Sequence, residues 1–502
     1  MTRGEFARKA EELRPVLNHR LCRPVRRVLP VKDENTFAGY RMEKEEGALT
    51  GETLKTGDAV CWDFGEHLVG HITFKFSLAG TRQDAPVRMR LIFGEMPDEI
   101  ACPEQEYTGW LSAAWLQTET ITLDLLPPVL TLSRRYAFRY VRLEIIAASL
   151  RFGVRVEEVH CDATTSAGKA RLPKSDGMDG LICQVSLRTL RDCMQDFFED
   201  GPKRDRRLWI GDLRLQALAN HHSFRNADLV RRCLYMIAAA QLPSGWLPAA
   251  VYDTVPPTDD ETVMVDYALL FGVTLRDLLR CGGELEIGRE LYPICRQQAV
   301  LAHDCLMPDG TFSLKDNEVF FIDWKDELQR DAAALGSYLY GLDALHEVAI
   351  RLGETEDAAM LAGWLDEARR QARKIYWDPK RGRFVSGGQI SMASQIWMLL
   401  GDALPEPEAK ALIRSLMEDP PKVDVGTPYM KHYLCEAMWK YGYLEETREM
   451  IRAYWGKMID QGADTFWEVF VPEKPDASPY GHRLIHSRCH AWSCTPFLYL
   501  IG

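Results

Sequence analysis

The chain predicts a multidomain α and β molecule, an N-terminal antiparallel β-sandwich followed by an (α/α)6 barrel of six helical hairpins. Three observations carry that prediction. Apolar residues alternate with period two up to about Val159, the period becomes helical from about Asp176, and the helical part holds about twelve segments of ordinary length. At 502 residues the chain exceeds a single ordinary domain of roughly 100–200 residues.

The sandwich reading rests on strands polar on one face and apolar on the other. Ile72, Phe74, Phe76 and Leu78 alternate with Thr73, Lys75 and Ser77, and Val87, Met89, Leu91 and Phe93 flank Arg88 and Arg90. Thr120 to Leu126, Tyr136 to Ile146 and Phe152 to Val159 are further strand candidates, separated by Gly80, Pro86, Pro97 and Pro127-Pro128 as turns. Residues 1–40 are assigned to an N-terminal extension, 41–168 to the sandwich and 169–502 to the barrel.

The helical period begins with Leu181, Ile182, Val185, Leu190 and Met194. It recurs near 212–223, 226–240, 261–280, 286–306, 328–352, 355–376, 389–400, 406–418, 428–441, 443–460 and 486–500. Loops of alternating long and short size, without a fixed-period sequence repeat, favour a closed ring of hairpins over a solenoid. Long loops gathered at one end make a concave mouth, where ligand sites tend to lie.

Composition narrows the functional classes. A 46% hydrophobic content with 13 Trp, 18 Tyr and 19 Phe supplies a large core. A net charge of -12 opposes binding to a polyanion, so no nucleic-acid partner is expected. The chain has no apolar run of the ~18 residues a membrane span needs, and its first residues lack a signal-peptide core. The 13 cysteines are scattered without a compact spacing, which fits free thiols. Together these point to a cytoplasmic protein with no membrane partner, and they leave homo-oligomerisation open.

Chemistry concentrates in Asp200-Gly-Pro-Lys-Arg-Asp205-Arg-Arg-Leu-Trp209-Ile-Gly-Asp212, three carboxylates on a loop where Gly201-Pro202 breaks a helix. Glycoside hydrolysis by inversion needs two separated carboxyl groups, one protonating the leaving oxygen and one deprotonating water. Glu468, set among Phe466, Trp467 and Phe470, is the second candidate. Taken alone, the loop also reads as Asp212 capping a helix and Asp205 pairing with its arginine neighbours, and Glu468 as a carboxylate paired with an arginine. Trp209, Trp324, Trp467 and Trp492 each lie near a carboxylate or histidine, a combination suited to sugars, whose C–H faces stack on rings while their hydroxyls need polar partners. His486 and His490 are four apart and can share a helical face as metal ligands, but no HExxH or CxxC accompanies them, so no metal is expected. Phosphate-binding glycine loops and a GxSxG elbow are absent from the sequence.

These segments resemble the bacterial α-L-rhamnosidases of glycoside hydrolase family 78. Trp62-Asp63-Phe64-Gly65, Phe93-Gly94-Glu95 and Phe138-Arg139-Tyr140-Val141 resemble the family's sandwich module, and Asp200 to Asp212 its acidic loop. Asp323-Trp324, Thr465-Phe-Trp-Glu468 and His490-Ala-Trp492-Ser resemble its later motifs. The resemblance implies Asp205 as general acid and Glu468 as the base that activates water. It implies Asp200, Arg204, Trp209, Asp212, Asp323, Trp324, Trp467, His490 and Trp492 as ligands of a small carbohydrate. It further implies an inverting exo-hydrolase releasing terminal α-L-rhamnose without metal or organic cofactor. The acid position commonly carries Glu in this family, whereas here it is Asp205, one methylene shorter. The chain reaches Gly502 directly after its last helical stretch, so the family's additional C-terminal β module is not expected. Other six-hairpin chemistries, namely a different glycosidase, a phosphorylase or a lyase, are the alternatives within enzymes, and a non-catalytic carbohydrate-binding protein is the alternative outside them.

Overall fold

The computed structural model describes residues 1–102, 104–171, 175–259 and 261–501. Helix α1 (Arg3–Glu12) is followed by strands β1 (Asn18–Cys22), β2 (Arg26–Lys32), β3 (Tyr40–Lys44), β4 (Thr53–Leu54), β5 (Ala59–Gly80) and β6 (Val87–Gly94). After the short helix α2 (Pro97–Ala101) come β7 (Thr118–Leu123), β8 (Val129–Thr131), β9 (Tyr136–Ala147) and β10 (Phe152–Thr165). All pair antiparallel, in the order β1-β10-β5-β9-β6-β7, with β2 and β8 also on β5. The 22-residue β5 shifts register between Asp63 and Leu68, so its two halves meet different neighbours. The period-two residues Ile72, Phe74, Val87, Met89, Leu91, Phe138 and Val141 form one buried core within this sheet.

The sheet begins earlier than the alternation suggests. β1 and β2 lie in the segment set apart as an extension, yet β1 pairs with β10 and β2 with β5, while α1 packs on the helical part. Strand β2, Arg-Arg-Val-Leu-Pro-Val-Lys, has a basic start and an internal proline, which hide its period.

The helical domain contains α3 (Gly177–Cys193), α4 (Ile210–His222), α5 (Ala227–Ala239), α6 (Val265–Arg280), α7 (Leu285–Cys305), α8 (Asp331–Leu352), α9 (Thr355–Tyr376), α10 (Met392–Leu400), α11 (Glu406–Glu418), α12 (Pro428–Lys440), α13 (Leu444–Ile451) and α14 (Lys457–Asp460), the last two joined by a π-turn. Helices α4, α6, α8, α10 and α12 pack in sequence as an inner ring and are buried nearly all round, as Val265–Leu279 of α6 shows. Outer helices bury one stripe only, in α9 Leu361, Leu365, Ala368 and Ala372.

The expected helix over 486–500 does not form. That segment is irregular, with a 3-10 turn at Ala491–Ser493 and the short α15 (Phe497–Leu500), and the turn packs on both α4 and α12 to close the ring. Its apolar spacing is helix-like because its residues face a core, but His486 and His490 share no helical face. No helix among the described residues is long and apolar enough to cross a membrane.

Candidate active site

Two of the inner helices, α4 and α6, present their N-terminal ends to a chamber of about 480 Å³. Asp212 stands in the first turn of α4 and Tyr267 in the first turn of α6, where exposed backbone N–H groups favour negative charge. Phe321 and Trp324 enter from the segment before α8, Glu468 and Tyr480 from the 461–482 loop, and His490 and Trp492 from the ring-closing segment.

The acidic loop leaves α3 and is shaped by Asp200. One carboxylate oxygen accepts the Asp205 N–H and the other the Arg207 N–H, each at 3.0 Å, while the Asp200 carbonyl accepts the Ala491 N–H. Gly201 allows the tight return: a Cβ there would lie 2.3 Å from Ser487 Oγ and 2.5 Å from the Arg204 carbonyl. Lys203 ties the loop to the β domain, donating to Glu99 at 2.7 Å and to the carbonyls of Leu484 and His486. Trp209 ends a two-residue strand paired with Ala250 and lines the chamber.

Arg204 joins the two catalytic candidates. Its Nη1 donates to Asp205 Oδ1 at 3.2 Å, its Nη2 to Glu468 Oε2, and its Nε to the Ile485 carbonyl at 2.9 Å. Glu468 also accepts the Tyr480 hydroxyl on Oε1 and the Ser487 N–H at 3.3 Å on Oε2. Burial works to raise the Glu468 pKa, but the charges of Arg204, His490 and His486 together with the Tyr480 hydroxyl outweigh it and hold the carboxylate down at about 2. The Trp492 indole N–H fixes the Glu468 carbonyl at 3.0 Å.

The floor is polar and differently charged. His490 Nε2 meets Asp212 Oδ1 at 3.0 Å. Burial opposes charge on His490, yet its bond to Asp212 and the Glu468 and Asp200 carboxylates push it up to about 9, so the ring is an imidazolium at neutral pH. Its Nδ1 is buried with no protein partner. Asp200 is pushed up to about 7 by burial and then by the Asp205 charge, and burial raises Asp212 as well.

Of the eleven residues expected here, nine line the chamber: Asp200, Arg204, Asp205, Trp209, Asp212, Trp324, Glu468, His490 and Trp492. Asp323 does not. Its carboxylate accepts the Gly426 N–H at 2.5 Å and the Thr427 hydroxyl at 2.6 Å, pinning the loop to the start of α12. Trp467 does not either, because Glu468 beside it points inward and the indole turns into an interdomain core, 5.3 Å from Phe37 and 5.5 Å from Phe470, with Arg488 over its ring. Sequence reasoning missed Tyr480, Tyr267, Phe321 and Trp110. Tyr480, in a Pro-Tyr-Gly turn, carries no local signal, whereas the solitary Trp110 in a polar stretch was visible without a partner carboxylate.

A family model described as the glycosyl hydrolase family 78 alpha-rhamnosidase N-terminal domain matches residues 24–163, and one described as the bacterial alpha-L-rhamnosidase 6 hairpin glycosidase domain matches residues 175–501. Among solved structures, a rhamnosidase from Klebsiella oxytoca with rhamnose bound is 40% identical over 99% of this chain and 98% of its own, with a TM-score of 0.96. A family 78 rhamnosidase of Bacillus sp. GL1 shares the fold at 19% identity and a TM-score of 0.76, with 93% of this chain covering 50% of that one. An α-L-rhamnosidase from Dictyoglomus thermophilum is similar in fold at 16% identity and a TM-score of 0.67, with 92% of this chain covering 54% of that one. Among curated proteins no match is found. With both of its domains matched and the six-hairpin model spanning more than half its length, the chain belongs to glycoside hydrolase family 78, the bacterial α-L-rhamnosidases.

Proposed function

We propose that the protein hydrolyses terminal α-L-rhamnosides with inversion, acting at the chain end, with Asp205 as general acid and Glu468 as general base. The observation that carries the reading is the shared guanidinium: Asp205 and Glu468 sit on two prongs of Arg204 at the wall of one chamber. One guanidinium thus holds an acid and a base candidate on neighbouring prongs at one wall, and inversion calls for ~6.5–9.5 Å between their carboxyl groups.

In the single displacement, Glu468 takes a proton from water as the water oxygen bonds to the anomeric carbon. The bond from that carbon to the leaving oxygen breaks, and Asp205 delivers its proton to that oxygen. Solvent then returns the proton from Glu468 to Asp205. A Glu468 held ionised is ready to accept that proton, and Tyr480 and Ser487 fix its direction. His490 Nδ1 and Asp212 supply a donor and an acceptor for sugar hydroxyls, with Trp209 and Trp492 as flat walls. A floor closed by buried groups supports exo action, and no step calls for a metal or an organic cofactor.

Asp205→Asn and Glu468→Gln should each lower kcat on 4-nitrophenyl α-L-rhamnoside by roughly 10²–10⁴-fold with the fold intact. Proton NMR should show β-L-rhamnose before mutarotation. The α-anomer as first product, or turnover insensitive to both substitutions, would refute the assignment.

A further inference from the structure

We propose that Trp110, presented by the β domain, is the platform on which the substrate's leaving group stacks, so that this domain sets which aglycones are accepted. The inference rests on the rhamnosidase reading and extends it to the far side of the scissile bond.

Trp110 lies between β6 and β7, lines the same chamber as Asp205 and Glu468, and is nonetheless 67% exposed. An indole left so largely in water gains little hydrophobic stabilisation from folding in that place. The ring is held firmly all the same. Its backbone N–H donates to the Tyr480 carbonyl at 3.1 Å and its indole N–H to the Pro479 carbonyl at 3.0 Å. Tyr107 donates to the Leu111 carbonyl at 3.0 Å and packs edge-on against His482 at 5.5 Å, so the 104–117 and 478–482 segments brace each other. The polar atom of Trp110 is satisfied and most of the ring stays open at the chamber, as a stacking surface requires.

The side of the chamber follows from burial. The side chains of Asp212, Glu468 and His490 are at most 4% exposed, whereas that of Asp205 is 19% exposed, so the chamber opens on the acid's side. A general acid protonates the leaving oxygen, which places the leaving group toward that opening. The wall runs on from Asp205 to Arg204, whose guanidinium lies 4.2 Å over the Tyr480 ring, and from Tyr480 to Trp110 at 5.8 Å. What stacks there is a flat face, either an aromatic ring or the C–H face of a second sugar.

The test compares the full chain with Trp110→Ala on three substrates: α-L-rhamnosyl fluoride, 4-nitrophenyl α-L-rhamnoside and a rhamnosyl-glucose disaccharide. The fluoride has no ring to stack and should be cleaved at an unchanged rate. On one or both ring-bearing substrates kcat/KM should fall roughly 3- to 10-fold, mainly through KM, with Trp110→Phe restoring most of it. A loss confined to the aryl substrate names an aromatic leaving group, and a loss confined to the disaccharide names a sugar. Equal losses on all three, or none on any, would overturn the proposal. Wild-type protein inert on all three would instead bring down the rhamnosidase reading, and this inference with it.

Discussion

One guanidinium donates to two carboxyl groups, and the ionisation of Glu468 depends on it. Glu468 is almost wholly buried, and burial is the largest influence on it, opposed first by the Arg204 charge. Without that charge burial is opposed only by the His490 and His486 charges and the Tyr480 hydroxyl, and the Glu468 pKa moves up. Arg204→Met should therefore move the acid limb of kcat/KM up in pH, from below the measurable range in the wild type. Arg204→Lys keeps the charge but not the fork, so it should lower kcat while leaving that limb low. A Met variant with an unmoved limb would show that Arg204 does not hold Glu468 ionised. The sequence made Arg204 visible as a neighbour of Asp205, but not as the partner of a residue 264 positions away. Trp467 misled for a related reason: adjacent loop residues point opposite ways, and its neighbour Glu468 took the inward position.

The irregular segments position the chemistry, and they were the least legible. Periodicity located the outer helices because each buries one stripe, and apolar density located the inner ring, buried nearly all round, but the same density over 486–500 imitated a helix where the chain closes the ring in short turns. The 318–330 segment shows how such a stretch is held. Asp323 accepts from Gly426 and from Thr427, and Thr427 in turn accepts the Met430 N–H to cap α12. Asp323 thus acts on the fold, with Trp324 beside it at the chamber, 36% exposed. Asp323→Ala should cost about 2 kcal/mol of stability, the scale of hydrogen bonds to a charged acceptor. Thermal unfolding should register this, while KM for the aryl rhamnoside changes no more than about twofold in the folded fraction. A large KM effect at unchanged stability would put Asp323 back among the sugar ligands.

The two domains meet through buried charge, which makes the stability of the protein depend on pH in a particular direction. His67 of β5 bonds Asp192 of α3 at 2.8 Å and Glu95, beyond β6, at 3.1 Å, and Glu95 accepts the Arg488 N–H at 2.6 Å. Burial opposes charge on His67, but the Cys489 sulfur and the Asp192 and Glu95 carboxylates overcome it and raise its pKa well above 6.5. His490 behaves alike, at about 9. A histidine raised on folding contributes stability that is complete below about 6.5 and is lost as pH rises through the folded value. Burial also lifts carboxyl groups, Asp200 and Glu99 to about 7 and Asp266 and Asp323 to about 6. Their contribution is complete below about pH 4 and is lost as pH rises through 6 and 7. Glu468, held at about 2, acts in the opposite sense, but only below its ordinary 4.5. Burial lowers His221, His432 and His486, which add stability as pH rises to their ordinary 6.5 and so offset the carboxyl groups up to that point. Above it only the losses remain, and the melting temperature should fall by at least ~3 °C between about pH 6.5 and 9. His67→Gln leaves Asp192 and Glu95 without their shared cation, so it should cost about 3 kcal/mol at pH 6 and less at pH 9, flattening the alkaline slope. Melting curves of both proteins from pH 6.5 to 9 decide the matter, because a wild-type curve that stays level or rises over that range is incompatible with a protonated His67 holding the domains together.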